Sequence, residues 1–274
     1  MTNGSDSSEK YYDTLPPDVI SKELEPVISE LGLHENCVQL SKQGWTVLEN
    51  AATEEFNHRL RETILRVTDG KGGFMLLSKD AIFAEAVLNR SLMAIAEFSV
   101  GRGFLLSQVA ATVRHKGDQC IPLHADHNWV PAPFPSHNLL LTACWVCDGY
   151  SQEAGATLII PGSNSLRRHP NETEIAGLRG AKPIECPPGS IAIWDGNLWH
   201  ANYERTLGGE RVVCHLTYSR LLCRPVEDYS RYADDFIRNY GLPMSQMLGR
   251  EDMLFSPDGA DVSKLVSTFN NAKR

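Results

Sequence analysis

Pro187-Pro188-Gly189-Ser190-Ile191-Ala192-Ile193-Trp194-Asp195-Gly196 is the stretch whose reading decides the fold. Two prolines and a glycine make a turn, Ser190 to Trp194 makes a short buried strand, and Asp195-Gly196 makes a second turn. The same texture recurs on both sides of it. Phe104–His115, Leu139–Val146, Thr157–Ile160 and Arg211–Tyr218 are rich in Val, Ile, Thr and aromatic residues and are separated by Pro/Gly turns. Short strands that follow one another without intervening helices pair antiparallel. They predict a sheet that closes on itself or doubles, a jelly roll or barrel.

Helical patterning surrounds this region. After Pro16-Pro17, the residues Val19, Ile20, Leu24, Val27, Ile28 and Leu31 fall at helical spacing, and Pro26 is expected to kink that helix. Trp45–Leu48 reads as a strand. Thr53 reads as a helix N-cap, with Glu54 and Glu55 favouring the positive end of the dipole and Phe56, Leu60, Ile64 and Val67 forming the buried stripe. Another helix is expected from Ala81 to Ser99, stopping at Gly101, and a last one from Val226 to Tyr240, capped by Gly241. No linker divides the chain. The expected organisation is a disordered tail over residues 1–16 and one catalytic domain over 17–274, with a helical part at 17–102, a β core at 103–222 and a helical segment at 223–274.

The 274 residues are 42% apolar and 22% charged, which suits one substantial core. Twenty-six basic against thirty-four acidic residues give a net charge of −8, and no basic cluster stands out, so a nucleic-acid partner is not expected. No apolar run approaches the roughly 20 residues needed to span a bilayer. The polar, acidic start is unlike a secretory signal. Seven scattered cysteines, mostly inside apolar runs, argue for reduced thiols and a cytoplasmic protein. Cys144 and Cys147, three apart on a strand, should face opposite sides as buried thiols and not act as a pair. A homodimer is compatible with all of this.

Of nine histidines, His34, His58 and His169 lie in polar surroundings and read as surface residues, and His137 sits in a Pro-rich loop. Two others have informative neighbours. In His124-Ala125-Asp126 an imidazole and a carboxylate two residues apart project to one face of an extended chain. His200 stands beyond the Trp194 strand. If Tyr203–Glu210 closes a hairpin, Arg211 falls roughly opposite His200 and enters the interior that His200 faces. A buried guanidinium there needs either an anionic ligand or an Asp/Glu partner. His124, Asp126 and His200 together supply two imidazoles and one carboxylate. That set occupies one face of an octahedral metal and leaves open positions, as non-haem Fe(II) uses for oxygen chemistry.

The stretch from about Gln108 to Arg220 resembles the phytanoyl-CoA dioxygenase family of Fe(II)/2-oxoglutarate oxygenases. The resemblance rests on His124-Ala125-Asp126 with Trp129 after it, Gly155-Ala156-Thr157-Leu158-Ile159-Ile160-Pro161-Gly162-Ser163-Asn164, Pro188-Gly189-Ser190, Trp194-Asp195-Gly196, His200, and Arg211 eleven positions later. Asn164 stands where the family usually has a histidine that is not a ligand. The resemblance implies a double-stranded β-helix (jelly-roll, cupin-like) core, a mainly β fold with flanking helices. It also implies Fe(II) held by His124, Asp126 and His200, 2-oxoglutarate anchored by Arg211 and touched by Asn202 and Gln108, and O2 as oxidant. The expected reaction hydroxylates an unactivated C–H of a small molecule of specialised metabolism and releases succinate and CO2. Family members that halogenate lack the carboxylate, so Asp126 points to oxygenation. His127, Asn128, Trp129 and Phe134, in a rigid apolar loop after the metal motif, are candidate substrate contacts. The competing readings are a cupin-type metal dioxygenase that does not use 2-oxoglutarate and a non-catalytic small-molecule-binding β-barrel.

Overall fold

The structure, a computed structural model, describes residues 15–250. Of the tail expected at 1–16, only Leu15 and Pro16 fall within that range, and the end of the C-terminal segment from residue 251 lies outside it. Helices α1 (Glu25–Leu31) and α2 (His34–Gln43) lead into β1 (Trp45–Leu48). Then come α3 (Glu54–Thr68), α4 (Ala81–Val87), α5 (Arg90–Val100), β2 (Leu105–His115), β3 (Leu140–Val146) and β4 (Thr157–Ile159). The chain continues through α6 (Glu172–Gly177), β5 (Lys182–Pro183), β6 (Ile191–Asp195), β7 (His200–Asn202), β8 (Glu210–Ser219) and α7 (Ala233–Met247).

All the strand pairing is antiparallel, in two sheets. A five-stranded sheet runs β1-β6-β3-β8-β2, and a three-stranded sheet runs β5-β4-β7. Doubling, and not closure into a barrel, is therefore how this chain solves the sheet problem, giving the expected jelly roll.

The large sheet is covered on both faces. On β8, Val212, Cys214, Leu216 and Tyr218 join the cluster formed with helices α1–α5, whereas Val213 joins the cluster between the sheets. Cys144 and Cys147 divide between the same two clusters, so they face opposite ways as expected, and all seven cysteines are free. The edge strand β2 is not left open. Gly73 and Ala111 exchange backbone hydrogen bonds of 3.0 and 2.9 Å, Glu227 N–H donates to Ser107 O (2.9 Å), and the Glu227 carboxylate accepts from Val109 N–H (2.8 Å) and Met75 N–H (2.7 Å).

Four expectations change. Pro26 does not kink a helix but opens one, since it sits in the first turn of α1, where no N–H is required. The helix expected over Ala81–Ser99 is two helices, because Asn89 Oδ1 accepts from Leu92 N–H (3.0 Å) and starts a new one. The last helix begins at Ala233 and not at Val226; it stops at Gly241 (φ 69°, ψ −153°) as expected, and a second helical segment containing Pro243 follows directly, so that α7 is two helices joined at a kink. Finally, β7 and β8 form no hairpin. They lie in different sheets, joined by a largely exposed segment in which Arg205 is buried.

Candidate metal centre and its cavity

The site is assembled by the backbone before any side chain is considered. His124 and His200 pair as an antiparallel bridge, His124 N–H donating to His200 O (2.9 Å) and His200 N–H to His124 O (2.8 Å). Directly opposed residues in such a bridge send their side chains to the same face. Asp126 follows two residues on, its N–H donating to Gly196 O (2.9 Å). A Cβ at residue 196 would stand 2.8 Å from Leu140 O and 2.7 Å from His127 Nε2, so this approach requires glycine.

The side chains are then aimed. His124 Nδ1 lies 2.8 Å from Pro122 O and His200 Nδ1 lies 3.0 Å from Leu198 O. A carbonyl only accepts, so each Nδ1 carries a hydrogen and each Nε2 is the atom turned toward Asp126. Those Nε2 atoms stand 3.6 and 3.4 Å from Asp126 Oδ1, and the three ligand atoms lie within 4.8 Å of one another. Asp126 Oδ2 is spoken for, accepting from Thr142 Oγ1 (3.0 Å) and Trp194 Nε1 (3.3 Å). Burial alone would raise the Asp126 pKa, but the facing His200 and His124 rings outweigh it and hold the carboxyl well below its usual range. Burial opposes protonation of His124 as well, and Asp126 outweighs it, so that pKa is raised. Two imidazole nitrogens and one carboxylate oxygen, each fixed by a partner on its far side, suit a divalent metal of the Fe(II) kind.

The triad opens on a cavity of about 360 Å³, within the roughly 300–1,000 Å³ of small-molecule sites. Strand register supplies the wall. Gln108 opposes Thr217, Thr217 opposes Thr142, and Thr142 opposes Trp194, one transverse row across four strands that ends at the Asp126 carboxylate. Farther along β8, His215 and then Arg211 face the same space. Arg211 is buried (3% exposed), donates to the Gly155 carbonyl, and holds its guanidinium 5.0 Å from the Tyr150 ring centroid. Its Nε is buried without a partner, and no carboxylate among the described residues pairs with it. Of the two alternatives left by the sequence, the internal salt bridge is absent.

Gln108, Asn128, Trp129, Asn202 and Arg211 all line this cavity with the triad. Asn202 is already engaged, its Oδ1 accepting from Ile121 N–H (2.7 Å) and Arg114 (3.2 Å) and its Nδ2 donating to Tyr203 O (2.9 Å). His127 and Phe134 are not part of the wall. His127 is buried beneath it with Nδ1 2.8 Å from Asn197 Oδ1, and Phe134 is enclosed edge-on between His127 and His169. They pack the apolar loop from behind, which corrects their expected contact with substrate. His169, expected at the surface, is part of that packing. Thr142, His215 and Arg114 were not singled out by sequence, and Trp194 stood there only as part of a motif, without a role. Their signal is strand register, which becomes visible only once the sheet order is known.

A family model described as phytanoyl-CoA dioxygenase matches residues 49–212. Among curated proteins, an uncharacterized protein of Mycobacterium tuberculosis is 29% identical over 114 residues, 42% of this chain and 41% of that protein. Dioxygenase af480 of Aspergillus fumigatus is 29% identical over 159 residues, 57% of this chain and 51% of that protein. The chain thus spans about half the length, or less, of these curated relatives. Among solved structures, HygX from Streptomyces hygroscopicus with nickel and 2-oxoglutarate bound superposes with a TM-score of 0.59 at 13% identity, covering 76% of this chain and 90% of that one. HygX with iron bound gives 0.56 at 14% identity, covering 76% and 89%.

Proposed function

Since this chain belongs to the phytanoyl-CoA dioxygenase family, we propose that it is an Fe(II)- and 2-oxoglutarate-dependent dioxygenase that hydroxylates an unactivated C–H of a small organic molecule of specialised metabolism. One observation carries the reading. His124 Nε2, His200 Nε2 and Asp126 Oδ1 converge while every other polar atom of the three side chains is tied to the protein.

When bound, the ferrous ion and its co-substrate supply oxidation of R–H to R–OH by O2, with 2-oxoglutarate converted to succinate and CO2. The chain's own contribution is placement. His124, Asp126 and His200 hold the metal from one side and leave the cavity side for exogenous ligands. Arg211, buried and without a protein counter-ion, pairs with the distal carboxylate of 2-oxoglutarate, with Gln108 and Asn202 on the adjoining wall. Asn128 and Trp129 flank the approach of the substrate. HygX, which shares the fold, has been crystallised with iron and with nickel and 2-oxoglutarate, in keeping with this assignment. No helix among the described residues is long and apolar enough to cross a membrane. A cytoplasmic location, and a homodimer, belong to the same proposal.

Anaerobic addition of Fe(II) and then 2-oxoglutarate tests it. The wild type should develop the visible metal-to-ligand charge-transfer band, and His200→Ala should lose most of it. A wild type without the band removes the assignment. Arg211→Ala should raise the 2-oxoglutarate needed for half-saturation at least about tenfold with iron content unchanged. An unaltered requirement would favour a cupin-type enzyme that does not use this co-substrate.

A further inference from the structure

β2 and β8 place Arg114 and Arg211 directly opposite each other, and both line the cavity. Like charges in that relation repel. Neither guanidinium has a carboxylate within ion-pair distance among the described residues. Arg114 donates to the Gln119 carbonyl and to Asn202 Oδ1 (3.2 Å). Asp118 is the carboxylate whose field reaches Arg114, and it is engaged by His115 N–H (2.7 Å). His215, the next cavity-facing residue but one along β8 from Arg211, is held neutral by burial and by the two arginines. A sheet that sets two buried or half-buried cations side by side with no counter-ion is built to receive anions.

The co-substrate does not account for both. On the reading above, a ferrous ion and Arg211 bring three positive charges to the cavity, and Asp126 with the 2-oxoglutarate dianion brings three negative ones. That set is neutral without Arg114. The two arginines also differ in depth. Arg211 is fully buried on the floor, whereas Arg114 is half-buried and tied to the exposed segment 119–121. Around that mouth stand Ile121 (50% exposed), Val226 (59%) and Trp129 (85%), apolar side chains that line the cavity and have little packing of their own.

We propose that Arg114 binds a carboxylate of the organic substrate, whose apolar body lies against Trp129, Ile121 and Val226. The substrate class is then an amphipathic carboxylic acid. The inference rests on the iron and 2-oxoglutarate reading and deepens it. The cavity thus presents two arginines although the chain as a whole carries a net charge of −8.

The experiment uses the anaerobic enzyme loaded with Fe(II) and saturating 2-oxoglutarate, titrated calorimetrically with hexanoate or its uncharged counterpart hexanamide. Hexanoate should bind the wild type about tenfold more tightly than hexanamide, and Arg114→Gln should abolish that preference. Arg114→Lys should restore part of it. The 2-oxoglutarate affinity of Arg114→Gln, read from the charge-transfer band, should stay within about threefold of wild type, and the band itself shows that the variant is folded. Equal binding of hexanoate and hexanamide by the wild type, or equal hexanoate binding by wild type and Arg114→Gln, overturns the proposal. So does a tenfold loss of 2-oxoglutarate affinity in that variant, which would make Arg114 a second anchor for the co-substrate. A wild type lacking the band removes the parent reading and this one with it. An intact band with unaltered hexanoate binding removes this one alone.

Discussion

Asp126 offers a single oxygen to the site because Thr142 and Trp194 hold the other. An unheld carboxylate could rotate or bind through both oxygens, so these two donors fix the aim of the ligand. Trp194→Phe keeps the ring and removes the N–H. It should weaken Fe(II) binding about tenfold, measured by competition with a chelating dye, while the circular dichroism spectrum stays that of wild type. His215 makes a second residue-level prediction. Burial, helped by Arg211 and Arg114, pushes its pKa down from 6.5 to about 4. The unfolded chain therefore takes up this proton first, and the stability that neutral His215 contributes is complete above about pH 6.5 and lost as pH falls toward 4. In His215→Gln the midpoint of urea unfolding should depend less steeply on pH across that window. The three proposed ligands were legible in the sequence because the His124–Asp126 spacing sets an imidazole and a carboxylate on one face and His200 follows the turn after the Trp194 strand, although His124 and Asp126 lie in a loop and not on a strand. Thr142, Trp194 and Arg114 were not, because each acquires its role from the residue opposite, and a strand carries no mark of its partner.

Among elements, the strands were read more accurately than the helices. Trp45–Leu48 and five of the seven later strands emerge close to their expected bounds because turns of Pro and Gly delimit them, whereas the short β5 and β7 were not expected. Ala81–Ser99 keeps a helical apolar pattern across a real break, and only the cap at Asn89 reveals it. Asn89 also donates from Nδ2 to Ala51 O (3.1 Å), so it fastens α5 to the loop ahead of α3. Asn89→Ala should cost about 1 kcal/mol or somewhat more, read as a lower urea midpoint with unchanged slope. The β7–β8 connection misled for a different reason. Its Gly208-Gly209 looks like a tight turn, but Arg205 is buried there, and its guanidinium is taken up by the carbonyls of Ala154, Gly208, Gly209 and Glu210. That anchor lets the segment cross from the small sheet to the large one. Arg211 still enters the interior, from the facing wall and not from a hairpin.

At the scale of the whole molecule, the three proposed metal ligands join parts far apart in the chain: a loop after β2 and the first residue of the small sheet's β7. A ligand bound only by the folded state stabilises it by about 2.7 kcal/mol at a hundredfold excess over its dissociation constant. Anaerobic Fe(II) should therefore raise the melting temperature by several degrees, and a chelator should reverse the rise. Asp126→Ala should show neither effect. Strand texture alone showed an antiparallel sheet that closes or doubles and did not choose between the two, and the covering of the large sheet on both faces was not legible at all. It follows from helices that the sequence shows but does not dock.

The strap across β2, made by Gly73 and by Glu227, has a consequence for self-association. An eleven-residue strand at the margin of a sheet is a template on which another copy could extend the ladder. Here some of its outward amides and carbonyls are already answered from within the same chain. The strand that presents Arg114 to the cavity is thereby shielded from recruitment into fibre-like stacks, so the same few bonds that close this edge also guard the cavity wall.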